Sequence, residues 1–202
     1  MTIKSIVFDV GGVLVRTENQ AGRRQLEKRF GMAEYDVDWL VFNTEAAAAS
    51  TIGQLESDAV WQLVQKRLDL SEKELAEFIE LFWQGDVFDQ ALFDFLISLR
   101  PNYITGILSN AWKGAREVLV NKYGIIEGEN VDHVLVSSEL GLAKPDPAIY
   151  HQLRETVGVD FDEILFVDDF SKNIAAAKAL GINTIHYRTG INPINQIKSM
   201  LD

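Results

Sequence analysis

Five short apolar runs, none with clean alternation, limit what this chain can fold into more than any other feature. They are Ser5–Val10 (SIVFDV), Ile104–Ser109 (ITGILS), Val131–Ser137 (VDHVLVS), Glu163–Val167 (EILFV) and Asn183–Tyr187 (NTIHY). A strand with one face in water alternates apolar and polar residues. A strand covered on both faces reads as a nearly continuous apolar run, which points to a parallel sheet sandwiched by helices. From residue 104 onward the runs alternate with helical patterns at Lys113–Tyr123, Pro147–Val157 and Ser171–Leu180. Pro147 suits a first helical position, Ser171 is placed like an N-cap, and Gly181 like the residue that ends a helix. Strand–helix–strand units with short connections imply right-handed crossovers. The expected fold class is α/β: a Rossmann-like three-layer core on a mainly parallel five-stranded sheet.

Val15 to Phe88 reads differently, with no convincing strand. Ser71 and Glu74 form a capping box, followed by Leu75, Phe78, Ile79 and Phe82 at helical spacing. Val60, Trp61, Val64 and Leu68 make a second stripe, Leu26 and Phe30 a shorter one, and Glu45–Ser50 holds four consecutive alanines. The simplest organisation is a core of residues 1–15 and 89–202 with a helical cap of residues 16–88 inserted after the first strand.

Composition narrows the function. The 202 residues carry 30 Asp+Glu against 19 Lys+Arg, a net charge of −11, and no cysteine. A nucleic-acid binder needs a basic face, so no nucleic-acid partner is expected. Zero Cys excludes disulfide scaffolds, zinc ribbons and a cysteine nucleophile. No run approaches the ~20 apolar residues of a membrane span, so no membrane partner is expected either. Met1-Thr2-Ile3-Lys4 leads into a strand with no signal-peptide pattern. The expectation is a cytoplasmic protein.

In an open parallel sheet, ligands bind beyond the carboxyl ends of the strands. Strand one ends Phe8-Asp9-Val10-Gly11-Gly12, strand two ends Leu108-Ser109-Asn110, and strand four ends Val167-Asp168-Asp169. The loop after strand three holds Lys144-Pro145-Asp146. Three carboxylates meeting on one edge repel one another unless a cation lies between them. Oxygen ligands without His or Cys favour Mg²⁺, which keeps room for water and a substrate phosphate. Lys144 and Ser109 offer a charge and a hydrogen bond to phosphate oxygens. Asp9 stands where a carboxylate nucleophile would.

With these residues in place the chain resembles a haloacid dehalogenase-like (HAD) hydrolase with a helical type-1 cap. Four stretches follow that family's order: Ile6–Leu14 with Asp9 in the nucleophile position, Ile107–Asn110 with Ser109, Ser137–Tyr150 with Lys144, and Phe166–Ile182 with Asp168 and Asp169. The resemblance implies phosphoryl transfer from a small phosphorylated metabolite to Asp9, then hydrolysis of the aspartyl-phosphate. It implies Mg²⁺ held by Asp9, by the Gly11 carbonyl and by the acidic pair, with Asp169 the direct ligand and Asp168 acting through water. Ser109, Asn110 and Lys144 would bind phosphate, and Asn173 would help hold Lys144.

One departure bears on the reaction. Phosphatases of this family usually carry a second Asp two residues after the nucleophile, to protonate the leaving group. That position is Gly11. General acid–base catalysis is typically worth ~10²–10⁴-fold, so its loss should weaken turnover without abolishing it. A leaving group that needs little protonation, as in a sugar 1-phosphate or an acyl phosphate, would suit. A branch of bacterial sugar-1-phosphate phosphatases shows a similar D-x-G start. Glu18 and Glu45 are weak candidates for a substitute acid. Two alternatives stand beside this reading: a 2-haloacid dehalogenase-like hydrolase, which has no use for a metal, and a catalytically weak phosphate-binding or regulatory protein.

Other residues carry blander expectations. His133, His151 and His186 show no ligand spacing. Trp39, Trp61 and Trp83 should pack the cap interior. Trp112 could stack on a substrate ring or pack against the cap. Arg16, Arg23 and Arg24 read as a solvated helix face, unless one reaches substrate. The sequence leaves the oligomeric state open.

Overall fold

The computed structural model describes residues 2–188 and 190–201. In chain order it contains β1 (Ser5–Phe8), β2 (Val15–Thr17), α1 (Ala21–Phe30), α2 (Asp36–Phe42), α3 (Glu45–Thr51), α4 (Asp58–Leu68), α5 (Glu72–Trp83), β3 (Asp86–Phe88) and α6 (Gln90–Leu99). There follow β4 (Ile104–Ser109), α7 (Ala115–Tyr123), β5 (His133–Val136), α8 (Ser137–Leu140), α9 (Pro147–Val157), β6 (Ile164–Asp168), α10 (Ser171–Ala179), β7 (Asn183–His186) and α11 (Pro193–Leu201).

Five strands form one parallel sheet in the order β5-β4-β1-β6-β7. Successive residues of β1 explain the missing alternation. Ile6 and Phe8 pack with Leu92, Phe93, Leu96 and Ile107 on one side. Val7 packs with Leu108, Tyr150, Leu153 and Phe166 on the other. Both faces are dry, so neither parity needs a polar residue. The register pairs Phe8 with Ile107 on one side and with Val167 on the other. Asp9 and Asp168 therefore stand at the same height at the carboxyl ends of β1 and β6.

Helices α1 to α5 enclose a separate apolar cluster that includes Leu26, Val41, Val60, Val64, Phe78 and Phe82. The Ser71–Glu74 capping box starts α5, and the Thr44 hydroxyl accepts the Ala47 N–H to start α3. Among the described residues no helix is long and apolar enough to cross a membrane.

The structure corrects the sequence reading at four places. The stretch from Val15 to Phe88 is not strand-free. It begins with β2 and closes with β3, which pair antiparallel with Val15 opposite Phe88 and Thr17 opposite Asp86. Three residues are too few to show a period. Ser171 is the first residue of α10 and not its cap; Phe170 holds that position, with no side-chain cap bond. The nearby carboxylate Asp168 takes the Phe170 N–H instead, at 2.7 Å. Trp39 is 67% exposed, because the short α2 turns Val37, Leu40 and Val41 inward and Trp39 outward. Arg23 is buried, not solvated. Its guanidinium lies over the Phe82 ring and pairs with Asp38 and with Asp86, the latter at 3.3 Å.

Candidate active site

The strand ends set the positions, and a lysine ties them together. Lys144 Nζ donates to Asp168 Oδ2 and to the Leu108 carbonyl, both at 2.8 Å, and forms an ion pair with Asp9 Oδ1 at 2.9 Å. Its side chain and that of Asp168 are both fully buried. Lys144 therefore bridges the nucleophile position to the acidic pair.

Asp9 is buried, and its two oxygens differ. Oδ1 accepts the Val10 N–H at 2.7 Å and pairs with the Lys144 ammonium. Oδ2 accepts no hydrogen bond among the described residues. Burial pushes the Asp9 carboxyl up to about 7; the Lys144 charge pulls it back down, and the Asp168 and Asp169 charges add to the rise.

Asp168 is saturated by protein donors. Oδ1 takes the Phe170 N–H and the Asn173 amide at 3.1 Å; Oδ2 takes Lys144 and the same amide at 3.0 Å. Asn173 is itself fixed, since its carbonyl accepts the Tyr150 hydroxyl at 2.9 Å. Asn173 thus reaches Lys144 only through Asp168.

Asp169 is the exposed member of the trio, yet its carboxylate rests on the Gly12 backbone. That lost solvation, and then the Asp168 charge, raise its pKa above the ordinary value. Gly12 has φ +76°, and a β-carbon there would collide with the Asp169 carboxylate. The Asp169 carbonyl is held by His186 Nε2 at 2.9 Å, across the pairing of β6 with β7.

One oxygen from each of Asp9, Asp168 and Asp169 falls within 4.8 Å of the others. Three carboxylates against one ammonium leave −3 + 1 = −2, the charge that one divalent cation cancels. The all-oxygen donor set fits Mg²⁺. The Gly11 carbonyl accepts no hydrogen bond among the described residues, so it too is free to face a cation.

On the neighbouring strand, Ser109 is a buried residue whose hydroxyl makes no protein hydrogen bond among the described residues. The Asn110 side chain is engaged at both ends: its amide donates to the Lys144 carbonyl and its oxygen accepts the Lys144 N–H, both at 2.8 Å. One amide N–H remains for a ligand, and the side chain also sets the Lys144 backbone.

The other singled-out residues lie elsewhere. Trp112 packs against the cap, with ring centroids 5.8 Å from both Phe42 and Trp61. Arg16 is spent on the Val13 carbonyl, Asp89 and Glu18, which also removes Glu18 as an unpaired acid. Sequence reasoning missed Gly12 and His186. A glycine pair directly after a strand-end Asp was the available signal for the first.

Residues 3–181 match the sequence profile of the haloacid dehalogenase-like hydrolases. A D-ribitol-5-phosphate phosphatase from Bacteroides thetaiotaomicron is 31% identical over 199 residues, covering 93% of each chain. A predicted HAD-like family hydrolase from Porphyromonas gingivalis superposes with a TM-score of 0.78 at 25% identity, covering 100% of this chain and 98% of the other. A HAD family enzyme from Bacteroides thetaiotaomicron, solved with magnesium and inorganic phosphate, gives a TM-score of 0.76 at 21% identity over 94% and 96% of the two chains. The α/β fold and these relatives place the chain among hydrolases of the phosphatase type. The chain belongs to the haloacid dehalogenase-like hydrolase family.

Proposed function

We propose that the protein is a Mg²⁺-dependent phosphohydrolase of a small organic phosphate, working through an aspartyl-phosphate on Asp9. The observation that carries this reading is the convergence of Asp9, Asp168 and Asp169, with Asp9 Oδ2 and the Asp169 carboxylate open and Lys144 bridging behind them. Asp9 Oδ2 attacks phosphorus, the bond from phosphorus to the leaving oxygen breaks, and water then cleaves the acyl phosphate to release inorganic phosphate. Asp9, the Gly11 carbonyl and Asp169 would hold Mg²⁺, which would supply charge neutralisation at the phosphoryl oxygens. Asp168, whose oxygens accept protein donors, would orient Lys144. The Ser109 hydroxyl and the Asn110 N–H donate to the phosphate.

The substrate follows from Gly11. The relative's pentitol 5-phosphate has an alkoxide leaving group that requires a proton, and no carboxylic acid stands at the position two residues after Asp9. We therefore favour a sugar 1-phosphate, whose anomeric oxygen leaves more readily, or an acyl phosphate. The carboxylate cluster weighs against dehalogenation, which needs no metal.

A panel of sugar 1-phosphates, acetyl phosphate and ribitol 5-phosphate, assayed for phosphate release with Mg²⁺ or EDTA in wild type and Asp9→Asn, tests the reading. The expected result is EDTA-sensitive turnover lost in Asp9→Asn, fastest on the activated esters. Activity that survives EDTA, or no Asp9-dependent turnover on any member, overturns it.

A further inference from the structure

Ser137 opens the stretch that leads to Lys144, but the chemistry of the site does not use it. It is fully buried at the start of α8. Its hydroxyl accepts the Ala111 N–H at 2.9 Å, two residues beyond Ser109, and donates to the Thr51 carbonyl of α3 at 2.7 Å. One oxygen thus joins the loop that follows the phosphate-facing end of β4 to the helical region formed by α1–α5.

Neighbouring contacts show that this is a built seat. Gly53 has φ +72°, and a β-carbon there would collide with the Ser138 carbonyl, so the backbone after α3 lies directly on α8. Trp112 inserts edge-on against Trp61, at 5.8 Å and 81°. Lys113 pairs with Glu56 at the rim. Helix α8 is in turn braced by Arg116, which donates to Glu139 at 2.7 Å and to the Val134 carbonyl at 2.6 Å. On the far side, the chain passes between core and helical region only through β2 and β3. The helical region is therefore held at two places: a covalent crossing at β2 and β3, and a non-covalent seat centred on Ser137.

We propose that Ser137 is a positioning residue for phosphate transfer, coupling the seating of the helical cap to the loop carrying Ser109 and Asn110. When the cap lifts, Thr51 leaves, and the buried hydroxyl loses an acceptor for which only the Ala111 carbonyl, at 3.2 Å, can substitute. The loop therefore holds its geometry best with the cap seated, so a substrate that fills the space beneath the cap and one too small to reach it are affected differently. This inference rests on the phosphohydrolase reading for its kinetic arm only.

The test compares wild type, Ser137→Ala and Gly53→Ala. Gly53→Ala disturbs the same seat from the cap side and touches neither the hydroxyl nor any residue of the proposed site. For a sugar 1-phosphate, both variants should raise KM about tenfold with kcat within about threefold of wild type. For acetyl phosphate, KM should stay within about threefold. Independently of turnover, amide exchange in Ser137→Ala should quicken both in residues 110–113 and in residues 51–61. Faster exchange confined to 110–113, equal losses on both substrates, or parameters within twofold of wild type in both variants would overturn the coupling. If wild type hydrolyses neither substrate, the function fails, and the exchange pattern alone still decides the coupling.

Discussion

Gly12 and Asp169 meet with no space for a β-carbon between them, whereas a β-carbon on Gly11 one residue earlier would meet nothing within 4 Å. The two adjacent glycines answer different needs. Gly12 supplies a positive φ and lets the Asp169 carboxylate close onto the backbone. Gly12→Ala should cost about 1–3 kcal/mol of stability through its φ. It should also displace Asp169, raising the Mg²⁺ concentration for half-maximal rate at least tenfold. Gly11→Ala should shift that concentration less than threefold. Mg²⁺ titration of the rate, with thermal melts of both variants, checks the contrast.

Among the described residues, Lys144 is the only lysine or arginine paired with the three carboxylates of the site. Removing it leaves Asp9 and Asp168 buried and uncompensated. Breaking a buried ion pair from one side typically costs about 3–5 kcal/mol. Lys144→Met should therefore lower the melting temperature strongly at pH 8 and less at pH 5, where Asp9 is protonated. Turnover should fall at least a hundredfold even where the protein remains folded. Melts at the two pH values, beside activity at saturating Mg²⁺, test both parts.

Much of this was legible in the sequence, for a physical reason. Ile6, Val7 and Phe8 are all fully buried, so strands covered on both faces announce themselves as unbroken apolar runs. The parallel register then forces Asp9 and Asp168 to one height. What could not be read depends on how distant segments meet. Strands β2 and β3 are three residues each and are defined only by their pairing across 69 residues of chain, as between Thr17 and Asp86. Arg23 looked like a surface charge because Asp38 and Asp86 are neighbours only after folding. Nothing in the sequence reveals the pair of bonds that Asn110 makes to the Lys144 backbone.

The raised Asp9 pKa gives a pH signature with a definite sign. Without metal, the folded protein holds a proton on Asp9 up to about pH 7, while an unfolded Asp titrates near the usual ~3.9. The folded state binds more protons, so this contribution to stability is fully present below the unfolded pKa and is lost as pH rises through about 7. Mg²⁺ must displace that proton, so the metal binds better at higher pH. The Mg²⁺-induced rise in melting temperature should be larger at pH 8 than at pH 6. Asp9→Asn should abolish the difference and, without metal, melt a few degrees above wild type at pH 8. A metal-induced shift that is the same at both pH values would contradict this assignment.

Gly11 also offers the most direct way to alter the reaction. Its φ lies outside the left-handed region, and the space around its β-position is empty, so an aspartate can be built there without moving the backbone. Gly11→Asp would place a carboxylic acid two residues beyond Asp9, in space that the structure leaves empty. If leaving-group protonation limits turnover, the gain should be selective. Hydrolysis of an alkyl phosphate such as ribitol 5-phosphate should rise by about 10²-fold, the lower end of what general acid catalysis contributes. Acetyl phosphate, whose leaving group needs no proton, should change by less than about threefold. The added charge beside Asp9 and Asp169 should also tighten Mg²⁺ binding, seen as a lower half-saturating concentration. An equal gain on both substrates would mean that the new carboxylate acts through the metal. No gain on the alkyl phosphate would mean that the absent acid is not what limits turnover of alkyl phosphates.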